Sequence, residues 1–256
     1  MQVTAQNWPY PRWIAHRGAG KLAPENTLAA FRLGAQHGYR MFECDVKLSA
    51  DGVPFLLHDD TLERTSTGYG PAGEQSWSAL ARLDAGSWHA RSHAGEPIPT
   101  LDNIAAFCLH NGCFLNIEIK PSPGTDRATG EKVANAAARL WQDQDVPPLM
   151  TSFSVVSLEG AQAAQPGLPR GLLLDTLWDG WLEAAQTLGC IAIVCNHTLW
   201  TTDTVAQVKA AGIRIASYTV NDAASVQRLA ALGTDAIITD RIDLFAPQVV
   251  LRQIVN

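Results

Sequence analysis

The sequence predicts an α/β protein built as a (β/α)8 TIM barrel, and three observations carry that prediction. The chain has 256 residues, which suits one such barrel, typically ~250 residues, better than two ordinary domains. Short apolar runs alternate with segments of helical spacing almost to the end, the pattern of parallel strands joined by right-handed crossovers. The alternation gives about eight units, which favours a closed barrel over an open, doubly wound sheet. The expected organisation is a single domain over residues 1–256, interrupted once by an insertion at about 60–99.

In order, Arg12 to His16 reads as a strand, and Thr27 to His37 as a helix closed by Gly38. Met41 to Asp45 and Pro54 to His58 are strand-like, with turn chemistry at Ala50-Asp51-Gly52 between them, so they form two strands or one interrupted by a hairpin. Regular alternation follows: helix near Leu101 to His110, strand Phe114 to Ile119, helix near Thr129 to Trp141, strand Leu149 to Ser152, helix near Val155 to Ala164. Gly171 to Leu174, Ile191 to Cys195, Ile213 to Tyr218 and Ala236 to Thr239 complete the strands. Helices near Trp181 to Leu188, Asp203 to Ala211 and Asp222 to Leu232 connect them. Asp60 to Pro99 breaks the period with five glycines, Trp77 and Trp88, and reads as a rim insertion after the second or third strand. Long loops inside compact domains are commonly functional. This one follows His58 directly, so it is either a wall of the site or a packing excursion.

Hydrophobic content of 46%, charged content of 17% and the lack of charge blocks describe a globular chain ordered nearly end to end. A net charge of -6 argues against a broad nucleic-acid or anionic-membrane surface. Met1 to Arg12 lacks the basic-then-apolar order of a secretory leader, and no stretch approaches the ~18 apolar residues of a membrane span. Five cysteines without CxxC spacing read as reduced, mostly buried thiols. The expectation is a cytoplasmic protein, monomer or homodimer, acting on a small molecule without stable membrane association.

Polar clusters sit at the carboxyl ends of the apolar runs: His16-Arg17, Glu43-x-Asp45, His58-Asp59 and Glu118-x-Lys120. Side chains alternate along a strand, so Glu43 and Asp45 share one face while Phe42 and Cys44 take the other. Like charges crowded inside a barrel require a cation or a proton. Asn116, Glu118 and Lys120 share a face in the same way, which leaves two readings of Glu118: an ion pair with Lys120, or a third metal ligand that frees Lys120 for phosphate. Oxygen-only ligation points to magnesium, calcium or manganese over zinc. His16 and His58 suit a base and an acid working near neutral pH, and the Arg17 fork matches phosphate oxygens. Gly18-Ala19-Gly20-Lys21 is not a P-loop, because Ala15 and Leu22 replace its first Gly and its Ser/Thr. Asn26 or Thr27 is placed to cap the first helix, and His37, His89, His93, His110 and His197 read as surface or packing residues. Together the clusters form a kit for hydrolysing a phosphodiester on a bound metal.

His16-Arg17-Gly18, Pro24-Glu25-Asn26-Thr27, Glu43-x-Asp45, Asp51-Gly52, Leu57-His58-Asp59-Asp60-x-Leu62-x-Arg64-Thr65, Glu118-x-Lys120 and Ile237-Ile238-Thr239-Asp240 resemble, in order and spacing, the glycerophosphodiester phosphodiesterase family. The opening Asn7 to Arg12 and the segment Asp84 to Trp88 are similar to cytoplasmic bacterial members associated with glycerophosphodiester uptake. The resemblance implies one divalent cation, Mg or Ca, on Glu43, Asp45 and Glu118, with His16 and His58 as catalytic acid and base. It also implies hydrolysis of glycerophosphodiesters such as glycerophosphocholine to sn-glycerol 3-phosphate and an alcohol, with Arg17 and Lys120 on the phosphate. Tyr218, where many relatives carry Trp, would pack against the glycerol, a departure that bears on substrate preference and not on the chemistry. Three other classes compete: a Schiff-base barrel enzyme using Lys120, a binding protein without turnover, and a phospholipase-type phosphodiesterase acting on lipid.

Overall fold

The computed structural model describes residues 3–245 and 247. The chain enters through β1 (Trp13–Ala15) and α1 (Leu28–Gln36), whose cap is Thr27, accepting the Ala30 N–H at 3.3 Å. Next come β2 (Met41–Leu48) and β3 (Pro54–Leu56), then α2 (Trp77–Leu80) and α3 (Leu101–His110). Regular βα units follow: β4 (Phe114–Ile119) with α4 (Asp126–Leu140), β5 (Leu149–Ser152) with α5 (Val155–Ala164), and β6 (Arg170–Leu174) with α6 (Trp181–Thr187). The last are β7 (Ala192–Asn196) with α7 (Thr202–Ala210), β8 (Arg214–Tyr218) with α8 (Ala223–Leu232), and β9 (Ala236–Thr239).

Every strand except β3 is parallel to its neighbours, and β1 pairs with both β2 and β9, which closes an eight-stranded barrel. Pro54 to His58 is not a barrel strand. β3 folds back antiparallel on the end of β2, with Val46 opposite Leu56 and Leu48 opposite Pro54. Gly52, at φ 81°, makes the turn between them, a conformation that costs glycine little. The rim insertion therefore leaves from a hairpin raised above the barrel. It carries α2 and two short 3-10 turns, packed on a satellite core of Phe55, Leu57, Leu62, Leu80 and Ile98.

Alternation sorts the residues radially. Phe42, Cys44, Leu115 and Ile117, with Leu172, Ile193 and Ile215, point outward into the buried layers beneath the helices. Ile14, Met41, Leu149, Leu173, Val194, Ala216 and Ile238 point inward and fill the barrel. Val3 and Tyr10 join that inner cluster at the amino-terminal mouth, where the Tyr10 hydroxyl donates to the Pro147 carbonyl at 2.9 Å. Each large apolar side chain taken out of water contributes about 1.5–3 kcal/mol, so the lower barrel is packed core. One layer further toward the carboxyl ends, the same inward positions become His16, Glu43, Asp45, Asn116, Glu118, Lys120, Tyr218 and Asp240. Parity along each strand, continued just past its end, gathers these groups at one mouth.

Candidate active site

Register sets the acidic centre. Glu43 lies opposite Asn116 and Asp45 opposite Glu118 on adjacent parallel strands, so all three carboxylates face one space. They are buried, and one oxygen from each lies within 4.8 Å of the others. Burial, reinforced by Asp45, pushes Glu43 and Glu118 above the usual carboxylate range. Burial acts on Asp45 in the same direction, but Arg17 and Lys120 outweigh it and hold Asp45 low. Asn26 fixes Asp45 from both sides: its amide nitrogen donates to Oδ2 at 2.8 Å, and its carbonyl oxygen accepts the Asp45 N–H at 3.1 Å. Thr27, not Asn26, is thus the helix cap. Asn26 has φ 58°, a left-handed conformation that Asn tolerates better than most residues.

Glu43 Oε1 is buried without a hydrogen-bond partner among the described residues. A buried bare carboxylate oxygen is costly, and hard divalent cations take oxygen ligands at about 2.0–2.6 Å. Three carboxylates at this spacing fit such an ion.

Arg17 enters from the β1 loop in a left-handed conformation, φ 49°, of the kind that accumulates at functional sites. Its N–H donates to Glu43 Oε2 at 3.0 Å and its Nη1 to Glu25 Oε1 at 2.8 Å, while its Nε lies 3.2 Å from Asp45 Oδ2 without hydrogen-bond alignment. Lys120 Nζ donates to Glu118 Oε1 at 2.8 Å and stands 3.5 Å from Asp45 Oδ1, so the foreseen ion pair exists but is shared. Burial alone would lower the Lys120 ammonium, yet Asp45 and Glu118 overcome it and hold the group above its usual value. A Schiff-base nucleophile needs a neutral amine, which this setting opposes.

Each histidine is backed by a carboxylate. His16 Nδ1 is 2.7 Å from Asp240 Oδ1, and its Nε2 is 3.8 Å from Glu43 Oε2. Gly20 permits this pairing, because a Cβ there would lie 2.2 Å from the Asp240 carbonyl oxygen and lift the loop away. Asn221 clamps Asp240, donating from Nδ2 to Oδ2 at 2.9 Å and accepting the Asp240 N–H at 2.9 Å. His58 arrives from the hairpin and not from a barrel strand end. Its Nδ1 is 2.7 Å from Asp59 Oδ1. Burial would depress the His16 imidazolium, but the Asp240 hydrogen bond and Glu43 raise it above its ordinary value. At His58 burial prevails and the pKa falls below its ordinary value.

One insertion side chain braces both arms. Arg64 donates to both oxygens of Glu25 at 2.8 Å and to both oxygens of Asp59, at 2.5 and 2.9 Å. Glu25 holds Arg17 and Asp59 holds His58. Sequence reasoning gave no role to Arg64, Asn221 or Asp240. The usable signal was Asp240 standing one residue past the last strand, the position His16 holds past the first.

A cleft of about 140 Å³ is lined by His16, Arg17, Glu43, His58, Glu118 and Lys120, with Phe153 and Tyr218 on its apolar side. The Tyr218 hydroxyl donates to the Leu174 carbonyl at 3.0 Å, and its ring meets Phe153 edge-on at 5.7 Å. Seven of the eight residues singled out in the sequence thus line this cleft, and the eighth, Asp45, lies beneath it, clustered with Glu43 and Glu118, bonded to Asn26 and beside Lys120.

This arrangement has relatives. A phosphodiesterase from Oleispira antarctica, solved with the product sn-glycerol-3-phosphate, is 34% identical and superposes with a TM-score of 0.85, covering 96% of this chain and 98% of that one. A glycerophosphodiester phosphodiesterase structure from Agrobacterium tumefaciens is 31% identical, with a TM-score of 0.76 and coverage of 92% and 98%. The glycerophosphodiester phosphodiesterase of Caldanaerobacter subterraneus is 31% identical over 228 residues, 89% of this chain and 93% of that protein. Residues 16–244 match the family model of the glycerophosphoryl diester phosphodiesterases, a span that opens on His16 and includes every side chain described at this site, and the chain belongs to that family.

Proposed function

We propose that this protein hydrolyses small glycerophosphodiesters, such as glycerophosphocholine and glycerophosphoethanolamine, to sn-glycerol 3-phosphate and the free alcohol. The observation that carries the reading is the pair of imidazoles, each bound through Nδ1 to a carboxylate, flanking a cleft lined by Glu43, Glu118 and two cations, with the Asp45 carboxylate clustered against the two acids beneath it. With Nδ1 occupied, the Nε2 of each ring is the atom left to exchange protons with a reactant.

Glu43, Asp45 and Glu118 would hold one divalent cation, magnesium or calcium. When bound it supplies Lewis-acid stabilisation of charge developing on the phosphoryl oxygens. Arg17 and Lys120 neutralise the same oxygens and fix the phosphate between the histidines. His16, whose pKa is raised, enters protonated and hands its proton from Nε2 to the departing alkoxide. His58, whose pKa is lowered, enters neutral and takes a proton from the attacking hydroxyl through its Nε2. Each transfer contributes roughly 10²- to 10⁴-fold. Tyr218 and Phe153 offer the apolar wall against which the glycerol carbons pack.

A small soluble substrate accords with the narrow cleft and with the acidic net charge of -6. No helix among the described residues is long and apolar enough to cross a membrane. The five cysteines are buried and unpaired, which suits a reducing cytoplasm. Incubation with glycerophosphocholine, coupled to glycerol 3-phosphate dehydrogenase, tests the proposal: chelator should abolish the signal and magnesium or calcium restore it. No metal-dependent signal with any of several head groups would overturn it.

A further inference from the structure

A phosphodiester has two ester arms, and two cavities meet at His16 and Arg17. The inner one is the cleft of about 140 Å³ walled by Phe153 and Tyr218. The other, about 310 Å³, opens on the far side of the same pair and is lined by Lys21, Glu25, Arg64, Trp88, His89 and Asp240. Its outer wall comes from the rim insertion, which His89 ties to the loop after β1 through a 3.1 Å hydrogen bond from Nε2 to the Lys21 carbonyl. Trp88 remains 41% exposed although its indole N–H is anchored on the Ala85 carbonyl at 2.8 Å and its ring meets His89 edge-on at 5.5 Å. It presents a fixed aromatic face to the cavity.

We infer that this second cavity is the subsite for the leaving alcohol, and that it favours alcohols carrying a further anionic group, a carboxylate or second phosphate, over those ending in a quaternary ammonium. The inference rests on the phosphodiesterase reading above. Position supports the first part, since the two cavities share His16 and Arg17, and the inner one already carries the Phe153 and Tyr218 wall proposed for the glycerol. Charge supports the second. The carboxylates on the wall are committed: Glu25 to Arg17 and Arg64, Asp240 to His16 and Asn221. Arg17 and Arg64 are committed in the same bonds. Lys21 differs. Its side chain is exposed, it acts through space on Asp240, and its ammonium makes no hydrogen bond or ion pair among the described residues. A quaternary ammonium finds the Trp88 face but no free carboxylate, whereas an anionic group finds both an aromatic wall and an unengaged cation.

The test compares kcat/KM for glycerophosphoserine and glycerophosphocholine in the wild-type holoenzyme, Lys21→Glu and Trp88→Ala, with the inhibition constant of sn-glycerol 3-phosphate in each. Lys21→Glu should lower the serine-to-choline ratio about tenfold, the screened effect of reversing one nearby charge. Trp88→Ala should raise KM for both substrates. The product lacks the alcohol arm, so its inhibition constant should move by less than about twofold in either variant, the change expected where no contact is lost. A ratio unchanged by Lys21→Glu, or a product constant that shifts as much as the substrate KM, overturns the subsite while leaving the hydrolase intact. Absence of turnover in the wild type overturns both.

Discussion

Replacing Asp240 by Asn should cost far more than one negative charge, because the surrounding hydrogen bonds decide which way the new amide points. The backbone N–H of residue 240 donates to Asn221 Oδ1, which fixes Asn221 with its Nδ2 donating to the second oxygen of residue 240. The new side chain must therefore turn its carbonyl to Asn221 and its NH2 to His16 Nδ1. That nitrogen then has to be an acceptor, the hydrogen moves to Nε2, and a protonated ring faces two opposed donors. The imidazolium proposed as the acid for the leaving group is lost. A fall of about 10²- to 10⁴-fold in kcat is expected, the range for removing one general acid or base. The assay is steady-state turnover with coupled detection of glycerol 3-phosphate, with thermal melting to confirm the fold. The same logic predicts a rescue: adding Asn221→Asp lets residue 221 accept from the new amide, turns the amide carbonyl at position 240 back to His16 and recovers about tenfold or more of the loss, a part of that same range. Asp240→Asn within about threefold of wild type, or a double variant no better than the single, would refute an orienting role for Asp240, since a working acid is worth far more.

Three further outcomes follow from the same geometry. On the proposed roles the pH profile of kcat/KM should be bell-shaped, because a neutral His58 is lost as pH falls through its lowered pKa and a protonated His16 is lost as pH rises through its raised one; a profile lacking either limb would remove the corresponding role. In chelated protein, the stabilising contribution of Glu43 is present below its ordinary 4.5 and lost as pH rises through its elevated folded value, so Glu43→Gln should melt about 2–4 °C higher at neutral pH, as ~1 kcal/mol does in a chain near this size. That variant should gain no stability from added calcium, which calorimetry would register. Arg64→Met removes the brace shared by Glu25 and Asp59 and should lower kcat about tenfold while thermal stability changes little, since the Arg64 side chain is 45% exposed and such pairs are worth about 0–1 kcal/mol in stability; an unchanged kcat would assign Arg64 no positioning role.

Strand periodicity exposed the barrel and most of the candidate site, because a period of two puts Glu43 with Asp45, and Asn116 with Glu118, on one inward face whatever the distant chain does. His16 and Lys120 follow from the same rule, each one residue past a strand. What stayed hidden depends on contacts between residues far apart in sequence. The partner of His16 lies 224 positions away at Asp240, and no local pattern joins them. Arg64 sits in a segment without periodicity, so nothing nearby reveals that it spans Glu25 and Asp59. The β3 hairpin was ambiguous because Pro54 to His58 is as apolar as a barrel strand, and pairing direction, not composition, sets its place. Asn26 looked like a cap because Asn is a good one, yet its left-handed backbone turns the side chain to Asp45 instead.

Glu43, Asp45 and Glu118 are proposed to hold one divalent ion between the two histidines, and anomalous diffraction from manganese-loaded crystals locates that ion. One strong peak per chain is expected, within about 2.0–2.6 Å of an oxygen from each carboxylate, and it should vanish in Glu43→Gln. No peak there in an enzyme that still turns over in chelator, or a peak elsewhere, would rule out this triad as the metal site.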